Sequence, residues 1–174
     1  EEHVSAIRYP ELRERAFIVL SFGKVFHVTG WKAGYVLAPK ELTTEFRKAH
    51  QFNVFSVNTP VQHALSEYMK EPSHYDAVSQ LYQAKRDRFL IGLRVSRFTP
   101  LPCEGSYFQL ADYSAISDEP ELEFAKRLAV DHGVAAIPLS PFYEKPPTGQ
   151  RILRFCFAKQ DETLDNAIEK LCAI

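Results

Sequence analysis

A short apolar run, Ala16-Phe17-Ile18-Val19-Leu20, delivers the chain into Ser21-Phe22-Gly23-Lys24, and a second run, Ala33-Gly34-Tyr35-Val36-Leu37-Ala38, follows close behind. Both runs suit buried strands. Between them, Thr29-Gly30 suits a tight turn that folds Lys32 back towards Ser21. The loop so formed holds a hydroxyl, a glycine and two lysines. Gly23 has no Cβ, so backbone and ligand can approach closely beside Lys24. Ser21 supplies a hydroxyl and Lys32 a compact positive charge, both suitable partners for a phosphate dianion. Lysine amines become nucleophiles where burial or a cationic neighbour favours the neutral form. An isolated Gly-Lys pair also reads as ordinary surface, and the flanking aromatic and glycine positions carry the functional alternative.

Further along, Pro39 ends the second run, and a helix is expected from Glu41 to about Gln51. Another is expected from Pro60, with Thr59 as its cap, to about Lys70. Ser73 is expected to cap a long helix through Leu93, with Leu81, Lys85, Phe89 and Leu93 setting its buried face. Beyond Thr99-Pro100, a candidate lobe boundary, short strands and helices follow. Strands are expected at 106–111, 134–137 and 151–158, and helices at 119–132 and 161–172. Pro146-Pro147-Thr148-Gly149 reads as a turn before the last strand.

With 174 residues the chain has enough apolar content for a core in one domain or two small lobes. A net charge of −1 and scattered basic residues give no pointer to nucleic acid or an acidic membrane surface. No apolar stretch reaches the length of a membrane span, and no signal peptide is visible. Cys103, Cys156 and Cys172 form no disulfide framework and read as buried, reduced thiols, which fits a cytoplasmic protein. The six histidines show no metal-ligand spacing, so no metal is expected. Gly23-Lys24 is not a P-loop, whose other residues are absent.

The run from Ser21 to Gly34 resembles the lysine segment of fold-type-I, class I/II aminotransferases. Its usual form there is Ser, any residue, Ser or Gly, Lys, five residues, Gly, any residue, Arg or Lys, any residue, Gly. The Gly-Lys and Trp-Lys version is similar to the branch of methionine and kynurenine-type aminotransferases. Further blocks fit that branch in order: His50 to Gln62, Cys103 to Phe108, Gly133 to Ser140, and Arg154 to Lys159. The likeness runs from about His3 to the C-terminus and covers a C-terminal half, since relatives are roughly twice as long. It implies an α/β chain: residues 1–70 finishing a large pyridoxal-phosphate-binding domain with a mixed sheet, 71–97 a long connecting helix, and 98–174 a small C-terminal α/β domain.

The resemblance further implies that Lys24 carries pyridoxal 5'-phosphate and moves the proton of the reaction, while Ser21 and Lys32 hold the phosphate. It gives Arg154 the substrate α-carboxylate. From the strand alone, alternation sets Arg154 beside Ile152 and Cys156, where its planar fork suits either a carboxylate ligand or a structural acid. Asn58 lies in a segment that reaches the partner's active site in kynurenine-type relatives, and an Asn before Thr-Pro is equally an ordinary turn residue. His27 reads as a packed or hydrogen-bonded histidine, and Phe22, Phe26, Trp31 and Tyr35 as core aromatics. Gly105-Ser106-Tyr107-Phe108 receives no role.

The expected activity is transfer of the amino group of methionine, or a similar apolar or aromatic amino acid, to a 2-oxo acid by a homodimer. A cysteine-conjugate β-lyase on the same cofactor and a non-catalytic C-terminal fragment are the alternatives. The family's ring-contacting residues belong to the other half and are not assigned here.

Overall fold

Pro10 opens a first short helix, α1 (Pro10–Arg13), where its fixed φ and missing N–H cost nothing. Strand β1 (Ile18–Ser21) follows, then a single helical turn, α2 (Phe22–Val25), a 3-10 turn at Thr29–Trp31, and strand β2 (Gly34–Leu37). This computed structural model describes residues 3–174. β1 and β2 pair antiparallel, with Ile18 opposite Leu37 and Ser21 opposite Gly34. The pairing needs the glycine: a Cβ at Gly34 would stand 2.4 Å from the Leu20 carbonyl oxygen.

Helices α3 (Lys40–Asn53) and α4 (Thr59–Tyr68) come next, then the single turn α5 (Ser73–Asp76) and the long α6 (Val78–Val95). Three expectations are corrected here. The cap of α4 is Asn58, whose Oδ1 accepts the Val61 N–H at 3.2 Å, and Thr59 is already helical. The helix from Ser73 to Leu93 is broken at Ala77, whose ψ of −7° and bond to the Tyr75 carbonyl close α5 before α6 begins. Within α6, Phe89, Gly92 and Leu93 are buried while Leu81 is 52% exposed, so the buried face is shorter than the spacing suggested.

The chain divides into two units, one ending at Val78 and the other running from Ser79 to Ile174. The second contains β3 (Thr99–Pro100), β4 (Phe108–Asp112), α7 (Glu121–His132), β5 (Ile137–Pro138), a 3-10 turn at Ser140–Phe142, β6 (Ile152–Cys156) and α8 (Asp161–Cys172). Its strands form an antiparallel sheet in the order β3-β4-β6-β5. Thr99-Pro100 is thus an edge strand of this sheet. The strand expected at 134–137 is confined to Ile137–Pro138, which pair with Arg154 and Leu153 of β6.

Alternation sorts the sheet into two faces. Gln109, Ala111, Leu153 and Phe155 are buried and face the core, with Phe89, Leu93, Phe124, Leu128 and Leu164 among its helical contributors. Phe108, Leu110, Ile152, Arg154 and Cys156 are half-buried on the other face. Gly92 lets α6 and α8 close on each other, for a Cβ there would lie 2.3 Å from Ile168 Cγ2. Arg88 grips Asp165 with two bonds, 2.7 Å from Nε and 2.5 Å from Nη2.

The cysteines are all free, but not buried as expected: Cys103 and Cys156 are intermediate and Cys172 exposed. Cys156 falls on the half-buried face of β6, and Leu171 rather than Cys172 takes the core position in the last turn of α8. Among the described residues, no helix is long and apolar enough to cross a membrane.

Candidate cofactor and substrate site

The loop between β1 and β2 brings Ser21, Lys24 and Lys32 into one local structure. Ser21 ends β1 and caps α2, its Oγ accepting the Gly23 N–H at 3.1 Å. That bond occupies an acceptor and leaves the hydroxyl hydrogen without an acceptor among the described residues. Lys24 stands exposed on α2. The chain then returns through Val28, whose N–H bonds the Gly23 carbonyl at 2.9 Å, and the turn at Thr29–Trp31. Lys32 follows in the left-handed region at φ 52°, and the next carbonyl, of Ala33, accepts the Phe22 N–H at 3.2 Å. The backbone thus returns to β1, with Gly34 opposite Ser21 and the Ala33 carbonyl on the Phe22 N–H.

Gly23 is buried in the crook of this loop, and a Cβ there would lie 3.2 Å from Thr29 Cα and 3.3 Å from Ser21 Oγ. Any side chain at 23 would crowd both arms. His27 and Lys32 both hold positive φ, at 56° and 52°. Such conformations cost non-glycine residues roughly 1–3 kcal/mol and persist where the surroundings impose them. His27 is exposed rather than packed, which corrects that part of the expectation for it. The aromatic cluster is real but partial. The Phe22 ring lies 5.7 Å from Phe26 and 5.0 Å from Tyr35, while Trp31 is 44% exposed. Neither Lys24 nor Lys32 has an ion-pair partner among the described residues. Asn58 belongs to a separate element of the same unit, with its side-chain oxygen committed to the α4 cap.

Arg154 lies in the second unit, at the centre of β6, opposite Leu110 of β4 and Ile137 of β5. It shares the half-buried face with Ile152 and Cys156, as alternation predicts. Its guanidinium carbon is 4.1 Å from the Phe108 ring centre and 4.8 Å from that of Phe142. Its Nε is buried with no hydrogen-bond partner. A buried donor left unpaired costs about 1–3 kcal/mol. Phe108 was given no role from sequence, although its place in β4 on the Arg154 face follows from the same alternation. Phe142 carried no signal, because only the turn at Ser140–Phe142 brings it to the arginine.

Known proteins share this arrangement of sequence and fold. The family model described as aminotransferase class I and II matches residues 2–171. Methionine aminotransferase of Escherichia coli (strain K12) is 50% identical over 170 residues, which are 97% of this chain and 44% of that protein. Kynurenine–oxoglutarate transaminase 1 of Mus musculus is 34% identical over 99% of this chain and 46% of its own length. A crystal structure from Escherichia coli, reported as identifying a methionine aminotransferase function, superposes with a TM-score of 0.93 at 49% identity. It covers 99% of this chain and 46% of that one. The chain thus spans about half the length of the curated relatives it matches. Its mixed α/β architecture is that of the fold-type-I enzymes dependent on pyridoxal phosphate, and the chain belongs to the class I and II aminotransferases.

Proposed function

We propose that the protein carrying this chain transfers the amino group of methionine, or a similar apolar or aromatic amino acid, to a 2-oxo acid. The observation that carries this reading is Arg154, a half-buried guanidinium set against two aromatic rings with its Nε unpaired. A substrate α-carboxylate satisfies that donor and matches the planar fork. The methionine-like preference is supported by the 50% identity to an enzyme of that name.

The residues present fit pyridoxal 5'-phosphate by their donor chemistry: a Ser21 hydroxyl and two amines that are unpaired among the described residues, and a crook at Gly23 that a Cβ would fill. When bound, that group supplies the electron sink that makes the substrate Cα acidic. Ser21 and Lys32 hold its phosphate, the hydroxyl by donation and the amine by charge. Lys24 would be its point of attachment; once the substrate amine has displaced it, the freed Lys24 amine would take the proton from the substrate Cα and pass it to the bound group. Arg154 orients the substrate through the carboxylate. Asn58 is proposed to touch the substrate bound in the partner subunit through its amide NH2, the part of the side chain not engaged in the α4 cap.

The reading includes a homodimer and a cytoplasmic location, the latter supported by three free cysteines. It keeps the three sections reasoned from sequence: 1–70, 71–97 and 98–174.

Kinetics of Arg154→Gln test it. Loss of a charge-assisted bond is expected to raise the KM for methionine by about tenfold or more. Attachment of the cofactor to Lys24 should persist. An unchanged KM would remove Arg154 from the substrate site and with it the support for this reading.

A further inference from the structure

Glu121 is the one acidic residue that the second unit buries, at 4% exposure among the described residues. It opens α7, and three donors converge on its carboxylate. Oε2 accepts the Ser140 N–H at 2.6 Å, and Oε1 accepts Ile152 N–H and Gln150 Nε2 at 3.0 Å each. The topology accounts for each arm. β5 stops at Pro138, one residue short of facing Ile152, so the Ile152 N–H has no strand partner on that side. Glu121 takes the place of the missing strand. The Ser140 N–H begins the turn Ser140–Phe142, whose last residue lies against Arg154. One carboxylate therefore joins β6, two residues before Arg154, to the turn that carries the ring beneath it.

We propose that Glu121 is the positioning residue for Arg154, fixing both the strand that bears the guanidinium and the Phe142 ring that orients it. The proposal rests on the reading of Arg154 as the carboxylate-binding arginine. Glu121 touches neither substrate nor cofactor; it acts through the two segments it ties together. Gln150 supports it as the third donor. A glutamine in its place has an acceptor oxygen and a donor NH2, and the NH2 would oppose at least one of the three N–H groups. The expected consequence is a guanidinium free to leave the geometry in which it meets a carboxylate.

The test uses the protein loaded with cofactor and a probe that binds without reacting: 4-(methylthio)butanoate, which is methionine without its amine. Its dissociation constant is measured by calorimetry, beside the KM and kcat for methionine and the thermal midpoint. Glu121→Gln is expected to weaken the probe and raise the KM by about tenfold, with kcat changing less. Glu121→Asp keeps the charge but is one methylene too short to span both arms, and it should fall between. This variant also serves if the glutamine variant folds poorly. In a double-mutant cycle with Phe142→Leu, the two effects should fall well short of multiplying, because both act through the same ring.

A lowered thermal midpoint with probe affinity and KM within about twofold of the parent would show a merely structural acid and overturn the proposal. Multiplying effects would overturn the role given to Phe142. Arg154→Gln separates the two levels. If it weakens the probe while both Glu121 variants do not, the positioning role alone fails. If it leaves the probe binding intact, the reading of Arg154 fails and the proposal falls with it.

Discussion

Single residues settle how the two candidate groups are presented. Ser21 Oγ accepts one bond from Gly23 and keeps its hydrogen, so it anchors the loop and still has a donor to offer. Lys32 leaves the turn in a left-handed conformation, which costs energy and fixes where the chain re-enters β2. Replacing Ser21 by Ala removes both the cap and the donor, and Lys32→Ala removes only a charge. Each is expected to weaken cofactor binding by about tenfold or more, the effect of one charge-assisted bond. Spectrophotometric titration with pyridoxal phosphate measures it, and affinity within about twofold for both variants would dissociate these residues from the phosphate. Alternation placed Arg154 on its face of β6, and only the resemblance gave it the carboxylate. It did not mark Glu121, yet the signal was there. Glu121, Phe124, Ala125 and Leu128 share one buried helical face, so an acid stands on an apolar stripe and must find donors.

At the scale of elements, α6 and α8 show how the second unit is held. Gly92 permits the close approach, and Gly92→Ala would push a methyl into Ile168. Overpacking of that kind costs typically 1–3 kcal/mol, readable as a lower urea midpoint with an unchanged slope. A midpoint equal to the parent's would mean that the helices are free to part.

Across the same pair, hydrogen bonds from Lys85 and Arg88 hold the Asp161 and Asp165 carboxyls below the usual carboxylate range. A carboxyl with a lowered folded pKa stabilises above its unfolded value, near 3.9, and the benefit is lost as pH falls through the folded value. Thermal melts should therefore decline on acidification below about pH 4, and less steeply in Asp165→Asn. Equal declines in both would remove this pair from the acid response.

Long periodic helices such as α8 were readable to the residue, Asp161 to Cys172. The break at Ala77, the Asn58 cap and the two-residue β5 were not, because each is decided by backbone geometry or a neighbouring strand rather than by composition.

For the whole molecule, the first unit holds the lysine loop and the second holds Arg154, whose buried Nε has no partner among the described residues. Class I/II motifs read in order along the chain gave the family before any coordinates, since five ordered blocks constrain a sequence more than one loop does. What the sequence did not carry was the Phe142 half of the aromatic setting of Arg154, which depends on a turn twelve residues upstream of it.

The central claim is that Lys24 is the residue to which the cofactor attaches. The most direct measurement is borohydride reduction of the protein with pyridoxal phosphate, followed by intact mass and peptide mapping. One pyridoxyl group on the peptide containing Lys24, absent in a folded Lys24→Ala variant, is the expected result. An adduct on another lysine that persists in that variant, or no adduct on the parent protein, would contradict the account.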